Sequence, residues 1–194
     1  MNLNEIKTHA KKSTERFIFD NTSLDFTLSD FWSWSLSDLV ENRNRGILAE
    51  FIVKQALNIE SPTRLEWDAF DLETNDGIKI EIKSSAYIQA WKQNKLSHIS
   101  FGIAPTRELL DDNNYSKELK RQADIYIFCL LHHKDQNTIN PMNLNQWTFY
   151  LVKTATLDEA IQLQKSISLS TIKMLEHKEC NYINLRSKFD LIKK

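Results

Sequence analysis

A chain of 194 residues with 41% hydrophobic and 26% charged content suits one soluble domain, or a domain with a small appendage, with a substantial core. A formal net charge of −1 excludes a globally basic surface, so any site for a polyanion has to be local. The N-terminus MNLNEIKTHAKK lacks a signal-peptide apolar core, and nowhere do about 18 apolar residues run together, which argues against a membrane span and for the cytoplasm.

Glycine is scarce: only Gly46, Gly77 and Gly102 occur, against an average of about 7%. Isolated glycines cannot build a phosphate-cradling P-loop, a dinucleotide fingerprint or a G-x-S-x-G nucleophile elbow. Cys129 and Cys180 form no C-x-x-C pair. Cys129 lies in a strongly apolar run, where a buried free thiol is the ordinary outcome.

In chain order, residues 3–18 read as a polar helix with few apolar anchors, and FDNTSLDFTLSDFWSW (19–34) as a loop. Its Phe31, Trp32 and Trp34 either pin the loop to the body or offer a platform on which bases stack. RGILAEFIVKQALNI (45–59) predicts a helix, with Asn44 as N-cap and Ser61-Pro62 as its stop. Leu48, Ala49, Ile52, Val53, Ala56 and Leu57 form a wide apolar arc. Glu50 falls at its margin, about 20° from Leu57. There it either points along the core edge into a cleft or pairs with Lys54 one turn on.

The stretch WDAFDLETNDGIKIEIKSSAY (67–87) predicts a β-hairpin around Asn75-Asp76-Gly77, a three-residue turn ending in glycine. That turn length pairs Thr74 with Ile78 and sets Asp71 opposite Glu81. It also puts Phe70 and Leu72 on the face of Ile78, Ile80 and Ile82, so hydrophobic parity agrees with the register. Lys79, Glu81 and Lys83 then share the other face with Asp71. Asp68 has the wrong parity unless a bulge intervenes.

Beyond the hairpin, IQAWKQNKLS reads as a short helix or an extended connector, and HISFGIAP (98–105) as a strand. Residues 106–122 are a charged helix or loop. ADIYIFCLLHH (123–133) is a continuous apolar run of the kind found at a sheet's centre, and WTFYLVKT (147–154) is a second such strand. Thr156 with Glu159 resembles a capping box for LDEAIQLQ, and Ser168 or Ser170 would cap STIKMLEH. The tail NLRSKFDLIKK is amphipathic. His132 and His133 are neighbours on a strand and point to opposite faces, so they cannot readily share an ion. His177 and Cys180 lack companion zinc ligands, and His98 has no further signal.

Asp71, Glu81 and the backbone carbonyl of Ile82 are oxygen donors of the kind Mg²⁺ takes, with Mn²⁺ as a substitute. Glu50 would add a further carboxylate. A metal there lowers the pKa of a bound water and stabilises phosphate charge. Lys83 would lie beside the attacking water, either orienting it or neutralising developing negative charge. The bland alternative is a wet strand face of alternating Lys and Glu.

The order of a helix glutamate, an aspartate opening a hairpin, and Glu81-Ile82-Lys83 on the next strand resembles the PD-(D/E)xK nuclease superfamily. FDLETNDGIKIEIKSSA is similar to bacterial members associated with DNA processing or defence. Ala69-Phe70 stand where those families often carry a proline. The resemblance covers residues 45–105 closely, and the C-terminal half only in general architecture. It implies a restriction-endonuclease-like α/β fold: a central mixed β-sheet flanked by helices, in a single domain 1–194. The core would span about 36–154, with an N-terminal helix and a C-terminal helical extension. It implies Mg²⁺-dependent phosphodiester hydrolysis in nucleic acid, DNA rather than RNA. It also places Ser84, Ser85 and Gln89 where polar groups approach the scissile phosphate, Gln89 being otherwise a surface amide; Lys92 and Lys95 are either phosphate contacts or solubilising charges. A homodimer would suit the cutting of two strands. The competing expectation is a nuclease fold without catalysis, retained to bind nucleic acid or a protein partner. A third reading is an assembly protein whose Lys/Glu face is simply solvated.

Overall fold

A computed structural model of the chain describes residues 6–64, 69–107 and 114–194. It divides into two compact units: one of Met1–Asp38 with Ser61–Leu65, the other of Leu39–Glu60 with Glu66–Lys194.

The first unit holds an antiparallel hairpin of β1 (Arg16–Phe19) and β2 (Thr22–Thr27), followed by helix α1 (Leu28–Leu36). Residues 6–15 carry no regular element, so the expected N-terminal helix is not found among the described residues. The loop expected over 19–34 is instead strand and helix. Its signal was Asp20-Asn21: both residues have positive φ, 48° and 61°, the conformation of a tight two-residue hairpin turn that Asn and Asp tolerate. Phe19 and Thr22 pair across that turn. Asp30 starts α1 by accepting both the backbone N–H and the hydroxyl of Thr27, each at 2.7 Å.

The second unit is built on a five-stranded mixed sheet in the order β3-β4-β6-β7-β9. Its strands are β3 (Leu72–Glu73), β4 (Lys79–Ala86), β6 (Ile125–Leu131), β7 (Trp147–Lys153) and β9 (Lys178–Cys180). Only β4 and β6 run parallel; the other neighbours are antiparallel. β6 is buried at every position, as its continuous apolar run requires of a strand covered on both faces. The run 98–105 does not join this sheet. β5 (Ser100–Gly102) pairs with β8 (Ser166–Ser168) in a separate two-stranded sheet.

Two apolar layers cover the sheet. One, from Ile80, Ile82, Ile127, Phe149 and Leu151, packs under helix α2 (Asn42–Ala56) and helix α5 (Leu185–Ile192). The other, from Tyr126, Phe128, Tyr150 and Val152, packs with Phe101, Leu157 and Ile172, the last two from helices α3 (Thr154–Ile161) and α4 (Leu169–Met174). The fold class is therefore α/β, a central mixed sheet flanked by helices. Cys129 and Cys180 are buried free thiols. No helix among the described residues is long and apolar enough to cross a membrane.

Helix ends differ from the expected caps. α2 starts earlier, with the Glu41 carboxylate rather than Asn44 accepting from the Arg43 and Asn44 amides at 2.8 and 3.1 Å. It stops because Asn58 turns left-handed (φ 52°). The Asn58 and Ile59 amides then reach back to the Gln55 and Lys54 carbonyls, a double C-terminal closure that spares buried acceptors. α3 begins at Thr154, whose hydroxyl bonds the Ala123 carbonyl at 2.5 Å; no Thr156 capping box forms at its start. Ser168 caps α4 through the Thr171 amide.

Candidate active site

The hairpin turn forms in the expected register. Gly77 has a φ of 82°, the left-handed conformation that glycine adopts at no steric cost. The Thr74 and Ile78 backbones join at 3.0 Å. Leu72 pairs with Ile80 and Glu73 with Lys79. Asp68 lies outside the described residues.

Upstream the ladder breaks. Residues 69–71 form a bend, and β3 begins only at Leu72. Phe70 therefore does not follow Leu72 onto the face of Ile80. It packs in the opposite layer with Tyr126 and Phe128, and the Lys79 ammonium sits 5.0 Å from its ring centre. The bend leaves the Asp71 backbone N–H on the Ile80 carbonyl at 3.0 Å. The Asp71 carboxylate then takes over from the strand, accepting the Ile82 N–H at 2.6 Å through Oδ2.

This substitution has a consequence for the edge of the sheet. In an extended strand a residue's N–H and C=O project to the same side. Since the Ile82 N–H meets Asp71, the Ile82 carbonyl faces the same outer side. Among the described residues, no strand pairs with β4 there beyond Ile80. A carboxylate and a main-chain carbonyl are thus offered side by side at an open edge.

Glu81 and Lys83 lie on the face above β6, in register with Tyr126 and Phe128, and their side chains form an ion pair. Glu81 is largely covered, and burial is the main cause that raises its carboxyl above the usual range. The negative charge of Asp71 raises it further, Lys83 opposes, and the charge of Glu50 adds to the rise. Glu50 is half-buried on α2. The Tyr126 hydroxyl is also driven upward, first by burial and then by the Glu81 charge. Glu50, Asp71, Glu81 and Lys83 therefore act within one electrostatic neighbourhood. Electrostatic reach is not coordination: among the described residues no three carboxylate, His or Cys groups already stand together as a metal cluster. The donor set of carboxylates with an outward carbonyl nevertheless has the all-oxygen chemistry that a hard divalent cation takes.

The remaining anticipated residues fall into a second constellation. Arg45, only 3% exposed, reaches from α2 to β4. Its Nε donates to the Ser84 hydroxyl at 2.9 Å. Its terminal nitrogens donate to the Val40 carbonyl at 2.8 Å, Asn42 Oδ1 at 2.6 Å and Gln89 Oε1 at 3.3 Å. Gln89 is buried rather than a surface amide, and its amide nitrogen donates to the Ala86 carbonyl at 2.7 Å. Ser84 and Gln89 thus hold the arginine beside the site, while Lys92 lies exposed on the connector after β4. Sequence reasoning passed over Arg45 because a helix-start arginine normally faces water. The one available clue was its place on the same helical stripe as Ala49 and Ile52. His132 and His133 separate as their parity requires, toward Thr148 at 2.8 Å and Thr138 at 2.7 Å.

A family model described as bacteriophage T4 endonuclease IV matches residues 3–171. No curated protein matches the chain.

Proposed function

The chain belongs to the bacteriophage T4 endonuclease IV family, and from that premise we propose that it is a metal-dependent endonuclease of the PD-(D/E)xK type acting on DNA, with Asp71, Glu81 and Lys83 at its centre. The observation that carries this reading is the pairing of the Asp71 carboxylate with the Ile82 N–H at 2.6 Å. It sets one carboxylate beside an outward carbonyl, next to Glu81 and Lys83.

Asp71, Glu81 and the Ile82 carbonyl would hold a divalent cation, with Glu50 as a further acidic contact. When bound, the cation supplies a water of lowered pKa and offsets phosphate charge. Lys83, paired with Glu81, would turn toward a phosphate held at the open edge. Its ammonium there counters the negative charge that grows on the phosphate in the transition state. Tyr126 and Phe128, both buried, stand beside Glu81 and Lys83 on the neighbouring strand and would limit water on that side. Arg45 adds a fixed positive charge behind Ser84, which favours an anion nearby. Ser84 and Lys92 flank the path of the nucleic-acid backbone, and Gln89 contributes by steadying Arg45.

The purified chain is expected to nick and cut DNA, and RNA less, with Mg²⁺ or Mn²⁺, and to stop in excess chelator. Lys83→Ala and Asp71→Ala are each expected to lower the cleavage rate by about a hundredfold or more. Cleavage that persists in chelator rejects the metal, and cleavage that survives both substitutions rejects the site.

A further inference from the structure

We propose that the N-terminal unit is a self-association surface, and that the partner it packs against is the same unit of a second copy of this chain. The unit has well-formed local structure but no interior. No residue of β1, β2 or α1 is buried. Phe17, Phe19, Phe26, Phe31, Trp32 and Trp34 are all exposed, Phe19 to 74% and Trp34 to 82%. A lone hairpin and a nine-residue helix are each marginal in water. The Phe17–Phe26 ring contact at 4.8 Å is too little apolar packing to hold them. Surface of this kind marks an interaction site.

Charge selects the kind of partner. From Phe17 to Asp38 the chain carries Asp20, Asp25, Asp30 and Asp38 and no lysine or arginine. An aromatic surface set among carboxylates repels a phosphate backbone or an anionic membrane, which argues against the base-stacking platform. The preceding stretch is of opposite sign, with Lys7, Lys11, Lys12 and Arg16 against Glu5 and Glu15. Within one copy Lys11 pairs with Glu15 and Arg16 with Asp25; a two-fold arrangement would bring Lys7 and Lys12 of one copy toward the acidic stretch of the other, the self-complementarity that a symmetric dimer requires. Area agrees. The exposed parts of the six aromatic side chains amount to something on the order of 600 Å² per copy. Doubled, that reaches the lower end of the roughly 1,200–2,000 Å² buried in stable protein pairs.

The test uses the full chain in sedimentation and light scattering from high nanomolar to tens of micromolar. A dimer is expected. Phe19→Glu combined with Trp34→Glu should weaken association by at least tenfold. Ile183→Glu, at an exposed position of the second unit, should leave it unchanged. Hydrogen exchange on the unsubstituted chain supplies a readout that needs no variant: protection over Arg16–Leu36 should fall on dilution. A monomer throughout the range overturns the proposal, as does a dimer that the double substitution leaves intact. Protection over Arg16–Leu36 that does not change with concentration also overturns it.

Discussion

At the scale of single residues, Glu81 is the most informative. Burial first, and then the charges of Asp71 and Glu50, raise its carboxyl pKa against the opposing pull of Lys83. A carboxyl whose pKa is higher folded than unfolded binds protons more tightly in the native state. Its contribution to stability is therefore full below the unfolded value and is lost as pH rises through the folded one. Glu81→Gln, which stays neutral, is expected to raise the melting temperature at pH 7–8 in the absence of metal. The gain should shrink as pH falls through the raised folded value of Glu81 and be gone once pH is below the ordinary glutamate value. Melts across pH 3–8 check this, and a gain that grows toward acid contradicts it. Turn length fixed the pairing of Leu72 with Ile80 and Glu73 with Lys79, because it is a short-range property of a hairpin, whereas the parity that set Asp71 opposite Glu81 ends at the bend over 69–71. Whether Glu50 reached the site was open in the sequence. Its answer depends on how α2 crosses the sheet, and the charge of Glu50 is felt at Glu81.

At the scale of elements, the junction between α2 and β4 matters most. Arg45 links four acceptors drawn from the segment before α2, from α2 itself, from β4 and from the connector beyond. Burial lowers its pKa from the usual arginine value, and Glu41 partly restores it. Arg45→Met would keep the volume but strand those acceptors, at about 1–3 kcal/mol each where water cannot replace the donor. A total loss on the order of 3 kcal/mol is expected in urea denaturation. Arg45→Lys should recover little of it, since one ammonium cannot reproduce the planar fork. A loss below about 1 kcal/mol for Arg45→Met would show that the network is not a clamp. The sequence placed this helix approximately but missed its start, because the Glu41 cap and the Arg45 partners depend on packing against β4. The Asp20-Asn21 turn was a legible signal that the aromatic richness of its surroundings obscured.

Over the whole molecule, the apolar core lies in the second unit, and no described residue of the first is buried. Stability should follow that division. In native-state hydrogen exchange at low protein concentration, the amides of β6 and β7 are expected to exchange slowest, near the global unfolding limit. Those of β1 and β2 should exchange faster by orders of magnitude. Equal protection in the two units would mean that they unfold as one. By itself the sequence determined the α/β class, the β3–β4 turn and its register, and the central place of β6. These follow from side-chain alternation, local turn chemistry and unbroken apolar runs, all of which act over a few residues. Only the tertiary structure decided that β3 ends where the Asp71 carboxylate replaces a ladder bond, that Phe70 crosses to the opposite layer, and that Gln89 is buried under Arg45. It also decided that residues 98–105 leave the main sheet. Each of these turns on competition between distant segments for the same buried surface and the same backbone hydrogen bonds, which no local pattern encodes.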